Sequence, residues 1–142
     1  MAKQPDKDLV AYLVENVTTV QLVEGRNIFS GQIQPAERGI VDDLAIFIIP
    51  FSGPEPESFL GCTKSRWMPE LQLWFRGPKR RARWKIMLEL AREARNVLHS
   101  DNTITVPGYT DVRALESAPL PQADDDDGRP QATLNVRMEY FE

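Results

Sequence analysis

At 142 residues, with 42% apolar and 27% charged side chains, the chain has the size and balance of one globular domain, residues 1–142, built on a single core. Its start, Met1-Ala2-Lys3-Gln4-Pro5-Asp6, lacks the apolar run of a signal peptide, and no stretch approaches the ~18 apolar residues of a membrane span, so a cytoplasmic product without membrane contact is expected. The single cysteine, Cys62, excludes an intrachain disulfide and a cysteine-based zinc cluster, and the net charge of -4 conceals cations gathered in one run and aspartates in another.

Pro5, Asp6 and Asp8 suit the first turn of a helix, and Leu9, Val10, Leu13, Val14 and Val17 recur at helical spacing, which predicts a helix from Asp6 to Asn16. The β-branched Thr18-Thr19-Val20 and Gly25 mark its end. Asn27 to Gln34 puts Phe29, Gly31 and Ile33 on one side before Pro35, the pattern of a weak edge strand. Leu44 to Ile49 is apolar on both parities and bounded by Asp42-Asp43 and Pro50. It predicts a central strand covered on both faces, or by helices on one and a neighbouring subunit on the other. Ser52 to Pro69, punctuated by prolines and glycine, predicts a long loop of the kind that carries function.

Glu70 to Arg76 alternates, with Leu71, Leu73 and Phe75 on one face and Glu70, Gln72 and Arg76 on the other, as in a half-buried strand. Gly77-Pro78 breaks it, and Lys79 to His99, free of further Gly or Pro, predicts a long helix. Its apolar stripe reads Trp84, Met87, Leu88, Ala91, Val97 and Leu98, widened by Ile86, Leu90 and Ala94. Beyond a turn at Ser100-Asp101-Asn102, Thr103 to Val106 and Asp111 to Leu115 read as a strand interrupted by Pro107-Gly108. Ala118 to Gln122 is extended and Asp124 to Pro130 is a turn. The last segment sets Ala132, Leu134, Val136, Met138 and Tyr140 inward against Thr133, Asn135, Arg137 and Glu139 outward, an antiparallel strand. The expected fold is α+β, one mostly antiparallel sheet with two helices packed on one side.

Signatures of catalysis are missing. The only histidine, His99, falls at a predicted helix C-terminus, where the dipole alone favours it, and the early glycines Gly25, Gly31, Gly39 and Gly53 do not space a phosphate loop. Four consecutive aspartates cannot all face one cation, so Asp124, Asp125, Asp126 and Asp127 read as a solvated acidic turn. No catalytic residue, cofactor or metal is expected. Lys79, Arg80, Arg81, Arg83 and Lys85 crowd a helix N-terminus, where each exposed cation opposes the dipole by ~0.3–1 kcal/mol. Such a run is a solvated helix end, a seat for nucleic-acid phosphates, or a contact for an acidic partner. If one copy offers its arginines and the next its aspartates, the contact is head-to-tail and closes into a ring.

Leu9-Val10-Ala11-Tyr12-Leu13 in the first helix, Gly25-Arg26-Asn27-Ile28-Phe29-Ser30-Gly31, the strand and helix of Glu70 to Leu98, and the closing Thr133-Leu134-Asn135-Val136-Arg137 together resemble the tail terminator, or tail completion, proteins of long-tailed bacteriophages and related minor capsid and neck proteins. The resemblance implies a homo-oligomeric ring, commonly a hexamer, at the tail–neck junction of the virion, assembled in the bacterial host cytoplasm. Such a ring caps the tail tube and halts its polymerisation. It also presents the head-joining surface to neck or connector proteins and lets DNA pass through its lumen without sequence-specific binding. On that reading Lys79, Arg80, Arg81, Arg83, Lys85 and Asp124, Asp125, Asp126, Asp127 lie between subunits or toward the lumen, and Glu55, Glu57, Phe59, Lys64, Arg66 and Trp67 face the tail tube or neck. The alternatives are a head–tail connector or minor capsid protein, and a small nucleic-acid-binding module using Lys79 to Lys85.

Overall fold

The computed structural model describes residues 3–31, 44–58, 61, 63–78, 84–98, 106–125 and 127–142, without the side chain of Ser52. In chain order these form α1 (Pro5–Asn16), β1 (Ile28–Ser30), β2 (Ala45–Ser52), β3 (Glu57–Ser58), β4 (Ser65–Trp67), β5 (Glu70–Arg76), α2 (Trp84–Leu98), β6 (Asp111–Ala114), β7 (Leu120–Gln122) and β8 (Gln131–Phe141). The fold is α+β, with two helices on one face of a single sheet of eight strands.

Strand β8 is the spine of that sheet. Along one edge it pairs first with β5, Leu71 opposite Val136 and Phe75 opposite Ala132, and then with β4, Trp67 opposite Tyr140. Along the other it pairs with β7, Leu120 opposite Thr133, and then with β6, Val112 opposite Met138. Strand β2 runs beside β5, β1 lies outside β2, and β3 lies outside β4. The β1–β2 pair is parallel and every other pair is antiparallel. Pro121 sits in β7, where a residue without an N–H blunts an edge strand against further pairing.

Because side chains alternate along each strand, Ile46, Ile48, Leu71, Leu73, Phe75, Ala132, Leu134, Val136 and Met138 share one face, all of them buried. Both helices cover this face: α1 over β1 and β2 through Leu9, Val10 and Leu13, and α2 over β5, β6 and β8 through Met87, Leu90, Ala91, Ala94 and Leu98. The Tyr12 hydroxyl of α1 donates to the Val97 carbonyl of α2 at 3.2 Å, and the Glu93 carboxylate of α2 accepts from the N–H of Thr19, just beyond α1, at 3.0 Å. At Gly77 a Cβ would come within 3.0 Å of both the Met87 Cβ and Pro130, so only glycine lets α2 pack this close to the start of β8.

Several expectations are corrected. The predicted strand over Asn27 to Gln34 is observed as the three-residue β1, pairing through Ser30, with residues 32–43 outside the description. Ser52 to Pro69 is not only loop: it holds the β3–β4 hairpin, which the proline-rich composition hid. On α2 the buried stripe centres on Leu90 and Ala94, while Trp84 and Ile86 are exposed and Leu88 and Val97 are half-buried. Arg76 is not on a solvated face; its side chain is buried, with the guanidinium 5.7 Å from the centre of the Phe47 ring. The helix predicted over Lys79 to His99 is seen from Trp84 to Leu98, and Lys79 to Arg83, His99 and Thr103 to Thr105 lie outside the described residues.

Candidate interaction surfaces

The two ends of β8 carry different chemistry. At its C-terminal end the β3–β4 hairpin docks through reciprocal backbone bonds, Ser65 N–H to the Glu142 carbonyl at 2.9 Å and Glu142 N–H to the Ser65 carbonyl at 3.0 Å. Arg66 then clamps it: Nε and one terminal nitrogen donate to Glu139 Oε2 at 2.8 and 2.6 Å, and the other terminal nitrogen reaches Glu57 at 3.3 Å. Glu139 also accepts from the Thr110 hydroxyl at 2.9 Å. The Arg66 hydrogen bonds, against the opposing effect of burial, hold the Glu139 carboxyl below the usual carboxylate range.

On the helix-covered side of the same end, an aromatic row begins at Trp67, whose ring lies parallel to Tyr140 with centroids 6.1 Å apart. Tyr109 meets Tyr140 edge-on at 5.5 Å, its hydroxyl donates to Asp8 of α1 at 2.6 Å, and the Lys3 ammonium sits 5.1 Å from its ring centre. Burial first, and the Asp8 carboxylate second, push the Tyr109 hydroxyl above the range of ordinary titration. The outermost members of this end remain open to solvent: Trp67 is 39% exposed, Phe141 42% and Phe51, near the end of β2, 58%. Gly53 holds that end of β2 against Met68, since a Cβ there would lie 2.8 Å from the Met68 carbonyl oxygen.

The opposite end of β8 carries the turn that precedes it and the start of α2. Asp125 organises the turn, its Oδ1 accepting from the N–H groups of Asp127 at 2.9 Å and Arg129 at 2.8 Å, while Asp127 pairs with the Arg129 guanidinium at 2.9 Å. Gly77 N–H donates to the Pro130 carbonyl at 2.9 Å, so the segment leading toward the basic run and the one leaving the acidic turn are side by side. Trp84 and Ile86 are each 38% exposed there, beside exposed Lys85.

The candidate residues read from sequence divide accordingly. Glu55, Glu57, Lys64 and Trp67 are exposed and Arg66 half-buried at the hairpin end; Phe59 lies outside the described residues. Lys85, Asp124, Asp125 and Asp127 belong to the helix-start end, while Lys79, Arg80, Arg81, Arg83 and Asp126 lie outside the described residues. Two of the four aspartates are engaged by their own turn. Lys85 and the described aspartates therefore lie at the same end of the sheet. Among the described residues no group of three or more His, Cys, Asp or Glu side chains is gathered as for a metal ion.

Exposed Phe141 was missed, as were Glu139 and the buried Tyr109 and Tyr140 that hold this end together. The usable signal was Phe141, an aromatic that follows Thr133, Asn135, Arg137 and Glu139 in the outward register of β8, where a polar residue is the rule. A scan against protein-family models gave no match, and a search of curated proteins gave none either.

Proposed function

We propose that this chain is a structural virion protein that forms a ring at the tail–neck junction of a long-tailed bacteriophage, ends tail-tube polymerisation and offers the head-joining surface. The observation that carries this reading is the hairpin end of β8. There Trp67 on one face of the sheet and Phe141 on the other stand exposed on paired strands, while Arg66 is ion-paired with Glu57 and Glu139 within the chain. Exposed aromatic rings next to an ion-paired arginine suit contact with another protein better than recognition of an ion or a polyanion. The resemblance of the helix, strand and closing-strand phrases supplies the class; the partners are other copies, the tail tube and a neck or connector protein, with DNA in the lumen.

Light scattering on the eluting protein, followed by negative-stain images with purified tail tubes, tests it. Rings, or a protein that joins the ends of tubes, are expected; a monomer indifferent to tubes refutes it. A nucleic-acid-binding module is the second reading, favoured by exposed Trp84 and Lys85 directly after the basic run. It requires DNA affinity that falls steeply with salt and is lost on Arg80, Arg81 and Arg83 to Glu substitution while assembly survives.

A further inference from the structure

Among the described residues, β6 is the sheet edge best placed to take a further strand. At β2, Ile46 N–H donates to the Asn27 carbonyl of the β1 side, so by the two-residue period Pro50, two residues past the last β1 pair, turns outward a position with no N–H. At β7 the outward residue, between Leu120 and Gln122, is Pro121. Strands β1 and β3 are three and two residues long, and the Ile28 carbonyl of β1 accepts from Gly25 N–H at 3.0 Å. Strand β6 has no proline, and among the described residues it pairs with β8 alone. Leu115 N–H donates to the Asn135 carbonyl at 2.9 Å, so Arg113 and Asp111 turn their backbone groups to β8 while Val112 and Ala114 turn theirs away from it.

The charges on β6 suit a neighbour that its own chain does not supply. On the helix-free face Asp111 lies directly opposite Glu139 and Arg113 directly opposite Arg137, like against like. Glu139 and Arg137 find their partners on the far side of β8, in Arg66 and Glu70, at 2.6 Å each. Arg113 acts on the Glu139 carboxyl less than Arg66 and Thr110 do. Asp111 and Arg113 have each other at 3.5 Å, with 49% and 63% of their side chains exposed, an ion pair worth little in water.

From this open edge and its order of charges we infer that two copies of the chain pair edge to edge through β6, antiparallel about a two-fold axis at Val112. In that register Asp111 of each copy faces Arg113 of the other, so both cross-strand pairs are of opposite charge, and the outward N–H and carbonyl of one Val112 bond those of its counterpart. A two-fold axis one residue along sets Arg113 against Arg113, and one residue back Asp111 against Asp111, so the charges select the register. The contact is isologous and closes at two copies. It therefore does not rest on the ring reading, which needs a heterologous contact; between rings it joins one to a second.

Charge reversal in the full chain tests this. Asp111→Arg sets an arginine opposite Glu139, and Arg113→Asp sets an aspartate opposite Arg137, so neither is expected to lower Tm. Each, however, places like charges in both pairs between copies. In sedimentation equilibrium over a concentration series the unaltered protein is expected at an even number of copies, and each single variant at half that mass, with association at least tenfold weaker. The double exchange, Asp111→Arg with Arg113→Asp, and an equimolar mixture of the two single variants are both expected to recover the full mass, since each restores opposite charges across the axis. Recovery in the double exchange but not in the mixture reduces the two side chains to an ion pair within one strand and overturns the inference. A mass that neither single variant alters also overturns it, and if that mass is a ring's, the ring reading stands. An unaltered protein that is monomeric throughout overturns both. Amide exchange at Val112 should slow as concentration rises; a rate independent of concentration in a protein that pairs by sedimentation overturns the strand pairing.

Discussion

Replacing Leu90 by Ala tests how α2 is rotated on the sheet. Leu90 is fully buried in the core that includes Leu134 and Val136, whereas Leu88, two residues earlier, is half-buried. Leu→Ala removes three carbons, about 2.4 kcal/mol at ~0.8 kcal/mol per buried methylene, and the cavity left behind raises the expected loss to about 3–4 kcal/mol. For Leu88, only partly buried against the core, a smaller loss of about 1–1.5 kcal/mol is expected. An unfolding entropy of ~2.1 cal/mol/K per residue over 142 residues makes each kcal/mol worth about 3 °C. Leu90→Ala should therefore lower Tm by about 10 °C and Leu88→Ala by about 3–5 °C, with urea melts giving the same order and an unchanged slope. Equal losses at the two positions would mean that the helix presents the face the sequence stripe suggested, and the packing described above would be wrong.

Acid should loosen the hairpin end. The folded Glu139 carboxyl titrates below its unfolded value of about 4.5, so it contributes stability above that pH and loses it as pH falls further; Glu139→Gln should narrow the difference between neutral and acid stability, read as urea midpoints at pH 7 and pH 3. Alkali should act at the other end of the aromatic row. Tyr109 is held protonated in the fold but ionises near pH 10 when unfolded, so its contribution is complete below pH 10 and is lost above it; Tyr109→Phe should cost about 1–3 kcal/mol at neutral pH and flatten the decline seen between pH 9 and 11. In the acidic turn, Asp125→Ala should cost about 1–2 kcal/mol because two backbone donors lose their acceptor, while Asp124→Ala should fall within ±0.5 kcal/mol in the same urea assay.

The architecture was legible wherever one residue type served one period. In β5 and β8 the strict alternation gave the buried face, Leu71, Leu73 and Phe75 in one and Ala132, Leu134 and Val136 in the other, but a period of two names no partner, and their pairing is seen only in the structure. In α2 it failed by rotation. Nine apolar residues wrap well around the helix, so periodicity alone cannot say which arc faces the sheet, and the small side chains of Ala91 and Ala94 allow the approach that decides it. Arg76 keeps the face that alternation gave it, but its burial was not legible: alternation predicts the face of a side chain and not whether an aromatic such as Phe47 shelters it there. The hairpin was hidden because two- and three-residue strands carry too few positions to show a period, and only pairing with Tyr140 and Phe141 makes them strands.

That pairing holds the hairpin against the end of β8. The Arg66 clamp and the Trp67–Tyr140 stack act on opposite faces of β4, so neither a charge change nor an aromatic deletion alone should free the hairpin. Docking rigidity matters here because ordering a loose segment at the moment of association would consume part of the binding energy. A hairpin already held by Ser65–Glu142 backbone bonds, the Arg66 clamp and the aromatic stack presents Trp67 with that ordering done. The double variant Arg66→Met and Tyr140→Leu removes both holds while leaving Trp67 in place. Hydrogen exchange at the Ser65 and Glu142 amides should then accelerate. Exchange as slow as in the unaltered protein would mean that neither the Arg66 clamp nor the Tyr140 stack holds the hairpin.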